Sequence, residues 1–297
     1  MKNALSLIIC LLITCLVLLN MDSISDKLSN FIDNEKKVAV SNSNEYVKDY
    51  DFKFVKTSPD YIPYSYQDLL NILYSILNNG WEVFTFYCPN EYEQCANDIN
   101  KIGKDVTLLS NINNFVHPYN SFSKIGIESS PTGEITIKIT KLYNTNDINK
   151  INAGVNEIMN NVNSNELTNK DKILQIHDYI INNTKYDIDK KYDHSYTAIG
   201  PLTYGTAVCS GYADLMAIIL TKLGFRNFKV ASDTHVWNAV LIDGEWLNLD
   251  LTWDDPITAN SDVDTLLHQF YLINTKKLLE FDIKDHNFDT TIYQELK

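Results

Sequence analysis

Hydrophobic positions fall into distinct regimes along the chain. From Ala4 to Leu19 the sequence is apolar almost without interruption, with Lys2 before it and Asp22 and Asp26 after it. A run that is apolar all round has no polar face to present to water, so it is not the pattern of a helix on a soluble domain. Residues 22–60 are rich in Asn, Ser, Asp and Lys, lack sustained periodicity and read as a polar spacer.

Beyond residue 60 the pattern becomes that of a folded protein. Ser65 to Asn79 has apolar residues at helical spacing and ends at Gly80, a suitable C-terminal cap. A strand over Trp81 to Cys88, a helix over Glu91 to Lys104 and a cleanly alternating strand over Gly133 to Tyr143 follow. A helix from about Ile148 to Val162 leads to Thr168 and Asp171, a capping-box pair before an amphipathic run that holds His177 as a packed or surface residue. The pattern predicts an α+β chain: an N-terminal apolar helix over 1–21, a spacer over 22–60, a smaller α+β region over 61–147 and a second domain over 148–297.

The second domain carries the distinctive chemistry. Ala213, Met216, Ala217, Leu220 and Leu223 recur every three or four residues until Gly224 stops them, which puts Cys209 at or just before a helix N-terminus. Unpaired N–H groups and the positive end of the helix dipole favour a thiolate there. Downstream, Val236–Ile242 and Glu245–Leu251 have strand character around Asp243-Gly244, a two-residue hairpin turn. With Ile242 paired to Glu245, alternation puts His235, Trp237, Asp250 and Thr252 on one sheet face, with His235 and Asp250 as diagonal neighbours. The hairpin alone therefore predicts a histidine oriented by a carboxylate. The stretch from His268 to Phe288 reads as a strand and a short helix, with His268 and His286 as structural residues.

Composition narrows the classes. The 297 residues are 44% apolar and 21% charged, ordinary globular values, and the net charge of −13 repels phosphate backbones and anionic head groups, excluding nucleic acid as a partner. No phosphate-binding glycine loop or metal-type cluster is visible, so neither cofactor nor metal is expected. Of the five cysteines, Cys10 and Cys15 lie in the apolar run, and Cys88 and Cys95 form either a disulfide or two free thiols. If they pair, Cys209 is the odd one out. Lys2 and the apolar run form an export signal. Without a small-x-small cleavage site it reads as a signal anchor facing outward, with a cleaved and secreted form as the alternative.

The stretches "GTAVCSGYADLMAIILTKLGF" and "THVWNAVLIDGEWLNLDLTWDDP" resemble the transglutaminase-like superfamily, with its papain-like Cys-His-Asp arrangement, over Lys170 to Pro256. The resemblance implies Cys209 as nucleophile, His235 as base and Asp250 as orienting acid, on a helix packed against an antiparallel sheet. Tyr204, as an oxyanion donor, and Trp237, Asn238 and Trp253 are the expected lining residues. The calcium-binding insertions of animal transglutaminases have no counterpart. The implied activity is thiol-dependent hydrolysis or acyl transfer on a protein or peptide amide outside the cytoplasm. The rival is a binding or scaffold module that keeps the fold without turnover.

Overall fold

The computed structural model describes residues 21, 38, 40–162, 167–256 and 266–297. The apolar run over residues 4–19, with Cys10 and Cys15, lies outside the described residues. Among those that are described, no helix is long and apolar enough to cross a membrane.

The first half of the fold is a small antiparallel sheet with helices. Helix α1 (Tyr66–Asn79) starts where the Ser65 side chain accepts from the Asp68 N–H, and ends at Gly80, whose φ of 70° is the left-handed value that glycine tolerates. Strand β1 (Val83–Tyr87), helices α2 (Cys95–Ile102) and α3 (Val106–Asn113), and strands β2 (Phe122–Ser129) and β3 (Glu134–Lys141) follow, and the sheet order is β1-β3-β2. Helix α2 starts later than the pattern predicts because residues 88–95 form a loop closed by the Cys88–Cys95 disulfide. Strand β2 escaped the pattern, since a register shift between Phe122 and Lys124 interrupts its alternation.

Helix α4 (Thr145–Val162) leads into α5 (Asn169–Asn182), whose Thr168–Asp171 capping box is formed as expected. Short strands β4 (Lys185–Tyr186) and β5 (Thr206–Ala207) pair in parallel, and helix α6 (Cys209–Lys222) follows β5 directly. Strands β6 (Asn227–Ala231), β7 (Val236–Ile242) and β8 (Glu245–Leu249) make a second antiparallel sheet in that order. Helix α7 (Leu251–Asp254) follows at once, then α8 (Thr275–Glu280). The strand expected after His268 is reduced to one bridge, Ile273 to Asn248, because Leu272 takes a positive φ of 47° and bends the chain off the sheet.

Alternation along the second sheet divides it between cores. Phe228, Val230, Trp237 and Ala239 pack with the first region, including Leu69, Leu73 and Phe115. Val240, Ile242, Leu247 and Leu249 pack with α4, α5 and α6 through residues such as Ile158, Ile176 and Leu215. The sheet carrying the candidate chemistry is thus clamped on both faces.

Residues 48–58, read from the sequence as spacer, belong to this packing. Phe52 and Val55 are buried in the first core, and the buried Lys48 ammonium donates to the Asn227 carbonyl at 2.7 Å. Burial, aided by the charge of Lys229, lowers the Lys48 pKa from 10.5 to about 7. Between those values the unfolded chain binds the extra proton, so the contribution of Lys48 to stability rises with pH and is least favourable below about 7. Replacing Lys48 with Met should therefore change folding stability in favour of the variant by about 3 kcal/mol more at pH 6 than at pH 9.5. Denaturant unfolding of both proteins at the two pH values checks this; a pH-independent difference contradicts it.

Candidate active site

Cys209 is the first residue of α6, and Val208 before it is extended and contributes no side-chain cap. No acidic residue lies in the first turn, so nothing there opposes a negative charge on sulfur. Cys209 is half-buried and is the free cysteine among the described residues, since Cys88 and Cys95 pair. The glycine of the Cys-x-Gly motif has a steric reason: a Cβ on Gly211 would sit 2.4 Å from the Ser195 carbonyl oxygen, which packs against this turn.

The hairpin has the predicted register. Ile242 pairs with Glu245 and Asn238 with Leu249, around a turn in which Asp243 and Gly244 both take positive φ, 55° and 86°. Strand β8 stops at Leu249, short of the expected Leu251, because Asp250 becomes the cap of α7. Its Oδ1 accepts from the Thr252 and Trp253 N–H groups at 3.0 and 3.3 Å. The other oxygen, Oδ2, lies 2.6 Å from His235 Nε2. Asp250 thus fills a capping role with Oδ1 and an orienting role with Oδ2.

Both partners are buried and the electrostatics follow. Burial alone would lower the His235 pKa, but the Asp250 charge and hydrogen bond outweigh it, Cys209 adds to them, and the imidazole is held well above its ordinary value. Burial alone would raise Asp250; the charge of His235 and hydrogen bonds from His235 and His286 hold it below the usual carboxylate range. Cys209 interacts with the same imidazole through its side chain. With Nε2 engaged by Asp250, the ring nitrogen left to face the sulfur is Nδ1.

The other expected residues separate by role. Trp237 is buried, stacks on His235 at 5.7 Å between centroids, and donates from Nε1 to Asn248 at 2.9 Å, forming a wall behind the imidazole. Asn238 is also buried and donates to the Ala213 carbonyl at 2.9 Å, tying β7 to α6 instead of lining an opening. Trp253 is half-buried and meets His286 at 5.4 Å. Tyr204 is exposed and stacks on His194 at 4.0 Å, whereas the tyrosine whose hydroxyl meets the Cys209 backbone is Tyr186. The β4–β5 pairing sets Tyr186 beside Ala207, a placement with no local signal in the sequence.

The three histidines read as structural or packed all have carboxylate partners, His268 meeting Asp178 at 2.8 Å. His286 is buried, with Nε2 2.8 Å from the same Asp250 oxygen that holds His235. His177 is buried between Asp178 at 2.9 Å and Asp254 at 3.2 Å, and Asp254 also accepts from the Phe270 N–H, anchoring the chain after the hairpin. Folding thus brings together donor groups that the sequence leaves scattered. His235, Asp250 and His286 form one set with metal-like spacing, and His177, Asp178 and His268 another. Hydrogen bonds between their members account for the closeness of both.

A thiol at a helix tip, an imidazole beside it and a carboxylate behind the imidazole define a nucleophile, a proton carrier and an orienting group. Residues 156–251 match the transglutaminase-like superfamily. The transglutaminase-like match takes in Cys209, His235 and Asp250. Among curated proteins, the chain is similar to the kyphoscoliosis peptidase of Mus musculus, 24% identical over 168 residues, covering 50% of this chain and 25% of the relative. The Homo sapiens counterpart is 25% identical over 166 residues, covering 49% and 25%. The matched part of this chain spans about a quarter of the length of these relatives. A crystal structure of a TGase is similar at 14% identity and a TM-score of 0.35, covering 48% of this chain and 46% of that one.

Proposed function

We propose that this chain is a thiol-dependent amide hydrolase or acyltransferase acting on protein or peptide substrates. The observation that carries the reading is the 2.6 Å contact of His235 Nε2 with Asp250, on an imidazole that also interacts with Cys209. The Cys209 thiolate attacks the carbonyl carbon of a carboxamide or peptide bond, forming a C–S bond, and N–H groups of the α6 N-terminus face the developing oxyanion. His235 gives its Nδ1 proton to the departing amine as the C–N bond breaks, leaving a thioester and a neutral imidazole. Water or an amine then attacks, His235 takes back a proton, and the C–S bond breaks to restore the thiolate. Hydrolysis and transfer differ only in which acceptor reaches the thioester.

The proposed location is outside the cytoplasm, tethered through the N-terminal apolar run. Supporting it are that run behind Lys2 and the Cys88–Cys95 disulfide, a bond rare in reducing compartments. Incubation with a peptide and amine library, followed by mass spectrometry of the intact protein and the Cys209 peptide, tests the chemistry. An acyl adduct on Cys209, absent in Cys209→Ala, is the expected result. Turnover that survives Cys209→Ala would sink the proposal.

A further inference from the structure

We propose that His286 is a positioning residue of the site, a second imidazole that holds the orienting carboxylate alongside His235. This rests on the reading of Cys209, His235 and Asp250 as the reacting set. Asp250 Oδ2 receives His235 at 2.6 Å and His286 at 2.8 Å, while Oδ1 receives the backbone N–H groups of Thr252 and Trp253. The carboxylate therefore accepts four hydrogen bonds and has no free direction in which to rotate. His286 supplies the one that comes from neither the hairpin nor the turn that follows it. It arrives from the short helical turn Lys284–His286, far along the chain.

The surroundings of His286 favour Nε2 as the nitrogen that carries a hydrogen. Its Nδ1 is buried with no hydrogen-bond partner among the described residues. A proton on Nδ1 would have no acceptor there, whereas the hydrogen on Nε2 is directed at Asp250. Rings enclose it: Phe270 at 5.1 Å, Trp237 at 5.2 Å, Trp253 at 5.4 Å and His235 at 5.7 Å between centroids. The titratable groups facing it are Asp250 and His235. Its sequence neighbour Asp285 is engaged elsewhere, accepting from the Thr234 hydroxyl at 2.7 Å. An Nε2–H donor steadies the carboxylate, so Asp250 stays aimed at His235 Nε2.

The test compares His286→Gln, whose Nε2 amide can reproduce the donated hydrogen, with His286→Phe, which preserves apolar packing and donates nothing. The readout is the rate of Cys209 alkylation by iodoacetamide at pH 6, with circular dichroism to confirm folding. His286→Phe should lower the rate by about 10- to 100-fold, as for a lost hydrogen bond to a charged group, and His286→Gln should recover most of it. A packing role predicts the reverse order, and that order would overturn the inference. Nitrogen-15 NMR of the wild-type protein supplies a second reading independent of the variants. A hydrogen on His286 Nε2 is expected, and an Nε2 without one overturns the inference. Slow alkylation of the wild-type protein would instead count against the Cys209–His235 reading, so the two failures are distinguishable.

Discussion

Replacing Asp250 with alanine should destabilise the protein by about 3–5 kcal/mol and lower turnover by about 10^2- to 10^4-fold. The stability loss comes from what is left behind. His235 and His286 lose the acceptor between them, and the Thr252 and Trp253 N–H groups lose the oxygen that caps α7. All of these donors lie in a region the chain has closed around Asp250, which is itself 1% exposed. Asp250→Asn should recover part of the stability, since its carbonyl oxygen still accepts, but only part of the rate, because a neutral amide stabilises an imidazolium less than a carboxylate does. Urea unfolding and steady-state turnover of the three proteins separate these losses. An Asp250→Asn variant with wild-type turnover would contradict the assigned role.

His235→Ala is expected to remove rapid labelling of Cys209 and to lower amide turnover by about 10^4-fold or more. The pH dependence has a definite sign. The folded pKa of His235 lies above its unfolded value near 6.5, so its contribution to stability is complete below about 6.5 and is lost as pH rises through the folded value. Asp250 has a depressed folded pKa, so its contribution is present above its unfolded value near 3.9 and is lost as pH falls through the folded one. Between those limits the imidazolium and the carboxylate are both charged. In that window His235 can stabilise a thiolate and then donate to a leaving amine.

Where chemistry rests on local pattern, the sequence carries it. Apolar spacing after Cys209 places the thiol at a helix start, and the Asp243-Gly244 turn sets a register that brings His235 and Asp250 together. Contacts across long separations are another matter. Tyr186 reaches Cys209 through a two-residue parallel pairing, and His286 reaches Asp250 from 36 positions away. Neither association leaves a periodicity or a turn signal behind. Polarity also misleads at the edges of elements. The segment around Lys48 looks like solvated spacer, yet Phe52 and Val55 carry it into the core; the strand pattern through Leu251 ignores that Asp250 gains more as a cap.

The central claim is that Cys209 and His235 function as one reacting pair, and labelling with iodoacetamide at pH 6 tests it most directly. At this pH an ordinary cysteine is almost wholly protonated and reacts slowly. The account predicts that wild-type Cys209 is alkylated at least about tenfold faster than Cys209 in the folded His235→Ala variant. Equal rates in the two proteins would contradict it.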